Sequence, residues 1–400
     1  MDMIFNQRLP FIALACVFGL TACGSDDGDE PAVLTTAVSN YLAVSSTPVS
    51  AVSQKINYRM PSVNGGETVA TAVVFVPKGT APAGGWPIIA WAHGTTGVAD
   101  VCAPSNTDNL GGVDPIIAQL VSQGYMVVAP DYEGLGSAGI HPYLNLASEG
   151  RSIVYAVMAA RENVTNAGTR WLAYGHSQGG HAALGAAQYA NEATGLSYLG
   201  TVAVAPASNL GLAINGGTAL AAQLAGAGQV TSAIGILAQQ VTFSAYVTAG
   251  LKQTTAVSYS DVFGAQAAAI VPQVETRCDV GNLIGADIGA HTQTTGSPLT
   301  YQGLKPNFFT VPAVSSFLDT LSEPATVRLK QPALILQGDA DSTVPKQLTD
   351  ILVGSMGKLG STVNYQVLPN KDHTTAFTDS LPQVLSFIGE QFNPSTTNTQ

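Results

Sequence analysis

Eight apolar runs recur along this chain, most bounded by glycine, proline or polar turn residues and separated by longer small-residue or amphipathic segments. They are 54–60 (QKINYRM), 68–77 (TVATAVVFVP), 87–93 (PIIAWAH), 125–130 (YMVVAP), 170–175 (RWLAYG), 199–206 (LGTVAVAP), 332–338 (PALILQG) and 363–369 (VNYQVLP). The segments 113–123, 147–163, 179–191, 345–357 and 379–392 between and after them read as helices. A strand apolar at consecutive positions is covered on both faces, and parallel neighbours need crossover helices. The expectation is therefore an α/β fold: a mostly parallel central sheet flanked by helices, with the first two strands as an antiparallel start. With 46% apolar and 10% charged residues in 400, the chain has enough core material for such layers.

The alternation breaks once. Between Pro206 and Pro332 lie about 125 residues without a sheet pattern, too many for a loop inside a compact domain. A mainly helical cap is expected over 208–328, dividing the core into 49–207 and 329–393. No Asp, Glu, Lys or Arg occurs from Ala193 to Leu251. The stretch TSAIGILAQQVTFSAYVTAG has the length of a membrane span, but Gln239 and Gln240 sit at its middle, where insertion is penalised. Buried or lid helices fit it better.

The N-terminus is expected to be a targeting segment, with Arg8 followed by an apolar run from Pro10 to Leu20. Leu20-Thr21-Ala22-Cys23 resembles a bacterial lipobox, which implies removal of 1–22 and acylation of Cys23; an ordinary secretory signal is the alternative. Gly24 in place of Asp resembles lipoproteins destined for the outer membrane. Residues 23–48 then form an acidic tether (SDDGDEP, 25–31) and N-terminal segment, and 394–400 a frayed tail. Setting aside Cys16 and Cys23 leaves Cys102 and Cys278, which in an oxidising compartment suggest one disulfide rather than two free thiols. A net charge of −11 with only fifteen Lys and Arg argues against a nucleic-acid partner.

The run at 170–175 passes into a helix through Gly175-His176-Ser177-Gln178-Gly179. This fits G-x-S-x-G in the strand-to-helix setting that a nucleophile elbow requires. So tight a turn leaves no room for bulky side chains two positions either side of the serine, and glycine stands at both. The helix behind Ser177 aims N–H groups at the same space, which favours an oxyanion. A glycine-rich turn with a capping serine is the alternative reading.

A serine nucleophile needs a base, and the base needs a carboxylate to fix its tautomer. In the order Ser, acid, His that this architecture uses, only His291 and His373 follow at a distance, and His291 falls in the cap. His373 follows an apolar strand and precedes the last helix, so it is the expected base. The acid comes from LILQGDADSTVP, where Asp341 is chosen over Asp339 because it stands three residues past the turn glycine Gly338. His93-Gly94-Thr95 ends an early strand, so an N–H from Gly94, Thr95 or Thr96, with Thr95 the choice, would join that of Gln178 in an oxyanion hole. His93 itself is expected to pack and hydrogen-bond.

Four segments, HGTTGVADVCAPS (93–105), APDYEGLG (129–136), GHSQGG (175–180) and GDADSTVP (338–345), resemble the α/β-hydrolase superfamily, and within it the secretory lipases typified by the yeast lipase A group. The resemblance covers roughly 50–392. In that family a cysteine before Ala-Pro-Ser is bridged to one in the cap, which matches Cys102 and, by position, Cys278. The chain departs from it in lacking a second, C-terminal disulfide and in its uncharged Gly-Thr-Thr-Gly oxyanion loop. Tyr132 and Glu133 are read as shaping a turn rather than lining the site.

The resemblance implies hydrolysis of carboxylic esters, acylglycerols or other apolar esters, by a triacylglycerol lipase or carboxylesterase working through an acyl-enzyme and needing no metal or organic cofactor. A serine peptidase on the same fold and a non-catalytic surface-binding lipoprotein are the alternatives. The expected partners are a small-molecule or lipid ester and, through Cys23, a membrane; a monomer is expected. Within the cap, Leu210, Leu212, Leu220, Leu224, Ile234, Leu237, Val241 and Phe243 recur loosely at three and four residues. That apolar face either lines an acyl cavity or packs the cap onto the core.

Overall fold

The computed structural model describes residues 39–393, so the expected signal segment, Cys23, the acidic run 25–31 and the tail 394–400 lie outside the described residues. The strands are β1 (Ser39–Asn40), β2 (Ser50–Pro61), β3 (Glu67–Pro77), β4 (Trp86–Ala92), β5 (Met126–Pro130), β6 (Ala167–His176), β7 (Ser197–Val204), β8 (Ala333–Gly338) and β9 (Val363–Leu368). They form one sheet in the order β1-β2-β3-β5-β4-β6-β7-β8-β9. β2 and β3 make an antiparallel hairpin, β3 pairs antiparallel with β5, and every pair from β5 to β9 is parallel. The two-residue β1 carries no apolar run of its own and pairs only with Gln54 and Lys55 of β2.

The main helices are α1 (Asp114–Ser122), α2 (Leu146–Asn163), α3 (Gln178–Tyr189), α4 (Leu210–Gly226), α5 (Val230–Leu251), α6 (Val280–Thr295), α7 (Lys346–Lys358), α8 (His373–Asp379) and α9 (Leu381–Phe392). Because side chains alternate along a strand, β4 sends Ile88 and Ala90 to one face of the sheet and Ile89 and Trp91 to the other. The first pair packs with Ile153 and Val157 of α2 and Ala182 and Ala183 of α3. The second packs with Ile117 and Leu120 of α1 and Val384, Phe387 and Ile388 of α9. Both faces are thus covered, which is why the central strands are apolar at nearly every position.

Helices α2 and α3 approach so closely that a β-carbon on Gly150 would lie 2.5 Å from the Gly185 carbonyl carbon. Only glycine permits that backbone contact, and it brings the start of α2 onto the middle of α3.

After β7 the chain leaves the sheet through α4, α5, α6 and several short helical turns before returning at β8. These pack around their own core of Val241, Ala245, Ile284, Ile288 and Phe308. Among the described residues α5 alone is long and apolar enough to cross a membrane. Its second half is nevertheless buried in the cap core, with Ala245, Tyr246, Val247 and Ala249 enclosed. A disulfide joins Cys102, in the loop after β4, to Cys278 just before α6, closing 176 residues of chain.

Candidate active site

Ser177 stands where β6 meets α3, with φ 60° and ψ −121°, a region that costs a non-glycine residue about 1–3 kcal/mol. The neighbouring glycines make that turn possible. A β-carbon at Gly175 would lie 2.1 Å from the Gly179 carbonyl oxygen, and one at Gly179 would lie 1.9 Å from that of Ala92. The turn is pinned by the Ser177 N–H donating to the Val204 carbonyl at 2.9 Å. Gln178 opens α3, so its N–H is among those left without a carbonyl by the helix ladder.

The loops after β8 and β9 bring the acid and the histidine together. The Asp339 N–H donates to Leu368 O at 3.2 Å, the Ala340 N–H donates to Lys371 O at 3.1 Å, and the Asn370 N–H donates to the Asp339 carboxylate at 2.6 Å. Asp339 is thereby occupied in holding the loops. Asp341, which is buried, accepts the Thr343 and Val344 N–H groups on Oδ1, both at 2.9 Å, and the His373 Nδ1–H on Oδ2 at 2.7 Å. That bond fixes the ring with Nε2 as its acceptor nitrogen. His373 is the first residue of the short helix α8, capped by Asp372, a helix that was not among those read from the sequence.

One neighbour was not singled out from the sequence. His176, immediately before the serine, donates from Nε2 to the His373 carbonyl at 3.0 Å, and the two rings lie 4.5 Å apart. Burial, helped by the neighbouring His373, pushes His176 down to about 3, so it is a neutral support. Its place inside G-x-S-x-G was the only available signal. No hydrogen bond closes between Ser177 Oγ and His373 among the described residues, and such contacts often tighten only with substrate bound.

The third segment arrives from β4. A β-carbon on Gly94 would sit 3.9 Å from Ser177 Cβ, so loop 93–96 runs beside the elbow. Thr95 Oγ1 is hydrogen-bonded to the Tyr143 hydroxyl at 3.0 Å, and Thr96 Oγ1 is buried without a partner. His93 packs as expected: its ring stacks on Tyr132 and reaches the Asp131 carbonyl at 3.1 Å, and burial lowers its pKa. His291, in α6, bonds Gln266 and Thr300 within the cap.

Ser177 opens into a cavity of about 300 Å³ lined chiefly by Tyr143, Leu210, Ile214, Leu220, Phe243 and Val247, with Gln239 and Gln240 among its polar edges. Of the apolar cap residues, Leu210, Leu212, Leu220 and Phe243 line this cavity, and Ile234, Leu237 and Val241 belong to the cap core, which Leu210 and Phe243 also join. The cap face thus does both of the things weighed from the sequence.

Behind Gln178 lies a buried polar cluster that sequence reasoning missed. Glu149 of α2 accepts the Gln178 side-chain amide at 2.7 Å, the Leu144 N–H at 2.9 Å and the His181 Nδ1–H at 2.6 Å. His181 Nε2 donates to the Ser322 carbonyl at 2.9 Å, so both ring nitrogens carry hydrogens and the ring is the cation of an ion pair. Burial alone would raise the Glu149 pKa, but the charge and hydrogen bond of His181 outweigh it and hold it at about 2. Tyr132 and Glu133 shape their turn: Tyr132 has φ 72°, and the Glu133 carboxylate accepts the hydroxyls of Ser62 and Ser148, each at 2.6 Å.

A mixed sheet with this strand order, a strained serine between β6 and α3, and an Asp–His pair from the loops after β8 and β9 define an α/β-hydrolase. The secretory lipase family profile matches residues 103–399, and the chain belongs to that family, whose members act as lipase- or esterase-type hydrolases. The fold is similar to that of lipase A from Candida antarctica in its closed state, at 18% identity and a TM-score of 0.66 over 93% of this chain and 87% of that one. It is also similar to the rice cell wall degrading esterase LipA from Xanthomonas oryzae, at 20% identity and a TM-score of 0.64 over 91% and 98%. No curated protein sequence matches the chain.

Proposed function

We propose that the protein is a serine carboxylic-ester hydrolase acting on apolar esters, acylglycerols among them, through an acyl-enzyme. The observation that carries this reading is the strained Ser177 whose neighbour His176 bonds the backbone of His373, a histidine with its Nδ1–H held by a buried aspartate at 2.7 Å. Ser177 Oγ attacks the ester carbonyl while His373 Nε2 takes its proton, and Asp341 stabilises the imidazolium. The tetrahedral oxyanion is held by the Gln178 N–H and an N–H of loop 93–96, Thr95 being the choice. His373 returns the proton to the leaving alcohol, and water activated by the same histidine releases the acid. The apolar cavity next to Ser177 takes the acyl chain, so hydrocarbon leaves water as substrate binds.

The serine is the test. Ser177→Ala is expected to abolish ester turnover and labelling by a serine-directed phosphonate while thermal unfolding stays nearly unchanged. Substantial residual turnover would sink the assignment. Membership of a secretory family supports export, and we extend the proposal to an outer-membrane anchor at Cys23. Cys23→Ser is expected to stop palmitate incorporation, and undiminished incorporation would reject the anchor.

A further inference from the structure

The two oxyanion-donor segments come from different strands, β4 and β6, and a single buried chain of contacts joins them. Starting at loop 93–96, the Tyr132 hydroxyl donates to the His93 carbonyl at 2.9 Å and the two rings stack 4.2 Å apart. Tyr132 stacks in turn on His141, with centroids 5.5 Å apart. His141 Nδ1 donates to the Glu133 carbonyl at 2.9 Å, which leaves Nε2 as an acceptor. One hydrogen of the Gln178 amide goes to that nitrogen and the other to Glu149, each at 2.7 Å. The His181–Glu149 pair then anchors the chain one turn along α3. From Tyr132 to His181 every one of these side chains is at most 1% exposed.

This arrangement is poor as a device for stability. Burying a carboxylate costs several kcal/mol before pairing, and hydrophobic replacements of such networks are often neutral or stabilising. The Gln178 Oε1 atom is buried without a partner, and Tyr132 occupies a left-handed backbone conformation. What the network does provide is a fixed separation between loop 93–96 and the first residue of α3. Oxyanion donors work only within a few tenths of an ångström of the developing charge, and a slip of about 1 Å costs on the order of a hundredfold in rate.

We infer that Tyr132, His141 and Glu149 are positioning residues that hold the two oxyanion donors in register. The inference rests on the hydrolase reading given under Proposed function. Its test uses the full chain with Tyr132→Phe, which deletes one hydroxyl and keeps the ring stack, and Glu149→Gln, which keeps the shape and removes the charge. Values of kcat and KM on a soluble ester are measured per phosphonate-titrated site, beside the Ki of a trifluoromethyl ketone that forms the tetrahedral oxyanion. Because the donors act in the transition state, kcat is expected to fall about tenfold or more with KM within about twofold. The ketone should weaken by a matching factor. A lower Tm and fewer titratable sites with kcat per site unchanged would reduce the network to packing and overturn the inference. Should Glu149→Gln fail to fold, Tyr132→Phe alone decides between these outcomes. Wild-type protein inert toward both ester and phosphonate would instead overturn the hydrolase reading and this assignment with it.

Discussion

Glu149 is a fully buried carboxylate, and its protonation therefore bears on folding as well as on the site. Burial works against the charge, yet the His181 cation and its hydrogen bond hold the folded-state pKa at about 2, against 4.5 ordinarily. A depressed carboxylate pKa means that the unfolded chain binds the proton first as pH falls. The stabilisation is therefore complete above the ordinary value and lost as pH drops from about 4.5 toward 2. Its size is on the order of 3 kcal/mol. Urea unfolding followed across that range is expected to show the loss, and Glu149→Gln should flatten it while lowering stability at neutral pH by about 3–5 kcal/mol, since His181 is left unpaired. An unchanged acid slope in the variant would assign it to other carboxylates. None of this was legible in the sequence, because Glu133, His141, Glu149, Gln178 and His181 share no local period and meet only when α2 and α3 close on Gly150 and Gly185. The strands that carry Ser177, Asp341 and His373 at or beyond their ends were legible, because the apolar pattern reveals each of them.

At the scale of elements, strands buried on both faces announce themselves, and all eight expected runs fall on strands. The short α8 did not, since its seven residues hold too few apolar positions to set a period and its cap is the Asp372–Thr375 pair. The cap was legible only as helical. Its first half is so uniformly small and apolar that the residues facing the cavity could not be separated from those facing the cap core. Gln240 shows what the structure adds. A β-carbon on Gly217 of α4 would lie 2.1 Å from Gln240 Nε2, so this amide of α5 rests directly on the neighbouring helix. Gln240 lines both the cavity at Ser177 and a second cleft of about 320 Å³ whose walls include Leu237, Val241, Leu299 and Leu304. Gln240→Ala is expected to join the two and to move the preferred ester toward longer acyl chains. Each additional methylene removed from water contributes about 0.8 kcal/mol, or roughly fourfold in kcat/KM. Rates on p-nitrophenyl esters from acetate to palmitate, compared within each protein, read the shift, and superimposable profiles would mean that Gln240 does not bound the acyl site.

For the molecule as a whole, the site is divided between the sheet and the helices inserted between β7 and β8, which a disulfide ties to the loop after β4. Ser177, Asp341 and His373 hang from the sheet, whereas much of the cavity at Ser177 belongs to α4 and α5. The Cys102–Cys278 disulfide closes 176 residues that include the elbow, α2, α3 and the first part of the cap. Loop-closure entropy over that length corresponds to as much as about 5 kcal/mol, although measured values usually fall nearer 2–4 kcal/mol. The paired substitution Cys102→Ser with Cys278→Ser is expected to lower unfolding stability by that amount. Its catalytic effect should depend on the substrate. An acetyl ester touches little beyond the sheet-borne residues and should be turned over at nearly the wild-type rate below the unfolding transition. A long-chain ester relies on cap helices held over Ser177, and its kcat/KM should fall by about tenfold, close to the cost of re-exposing two methylenes. Cys102 also lies near loop 93–96, since a β-carbon on Gly97 would come within 2.7 Å of its sulfur. An equal loss on both esters would therefore locate the disulfide's influence in loop 93–96 rather than in the cap, and the ratio of the two rates, measured in the variant and in wild type reduced by dithiothreitol, distinguishes the cases.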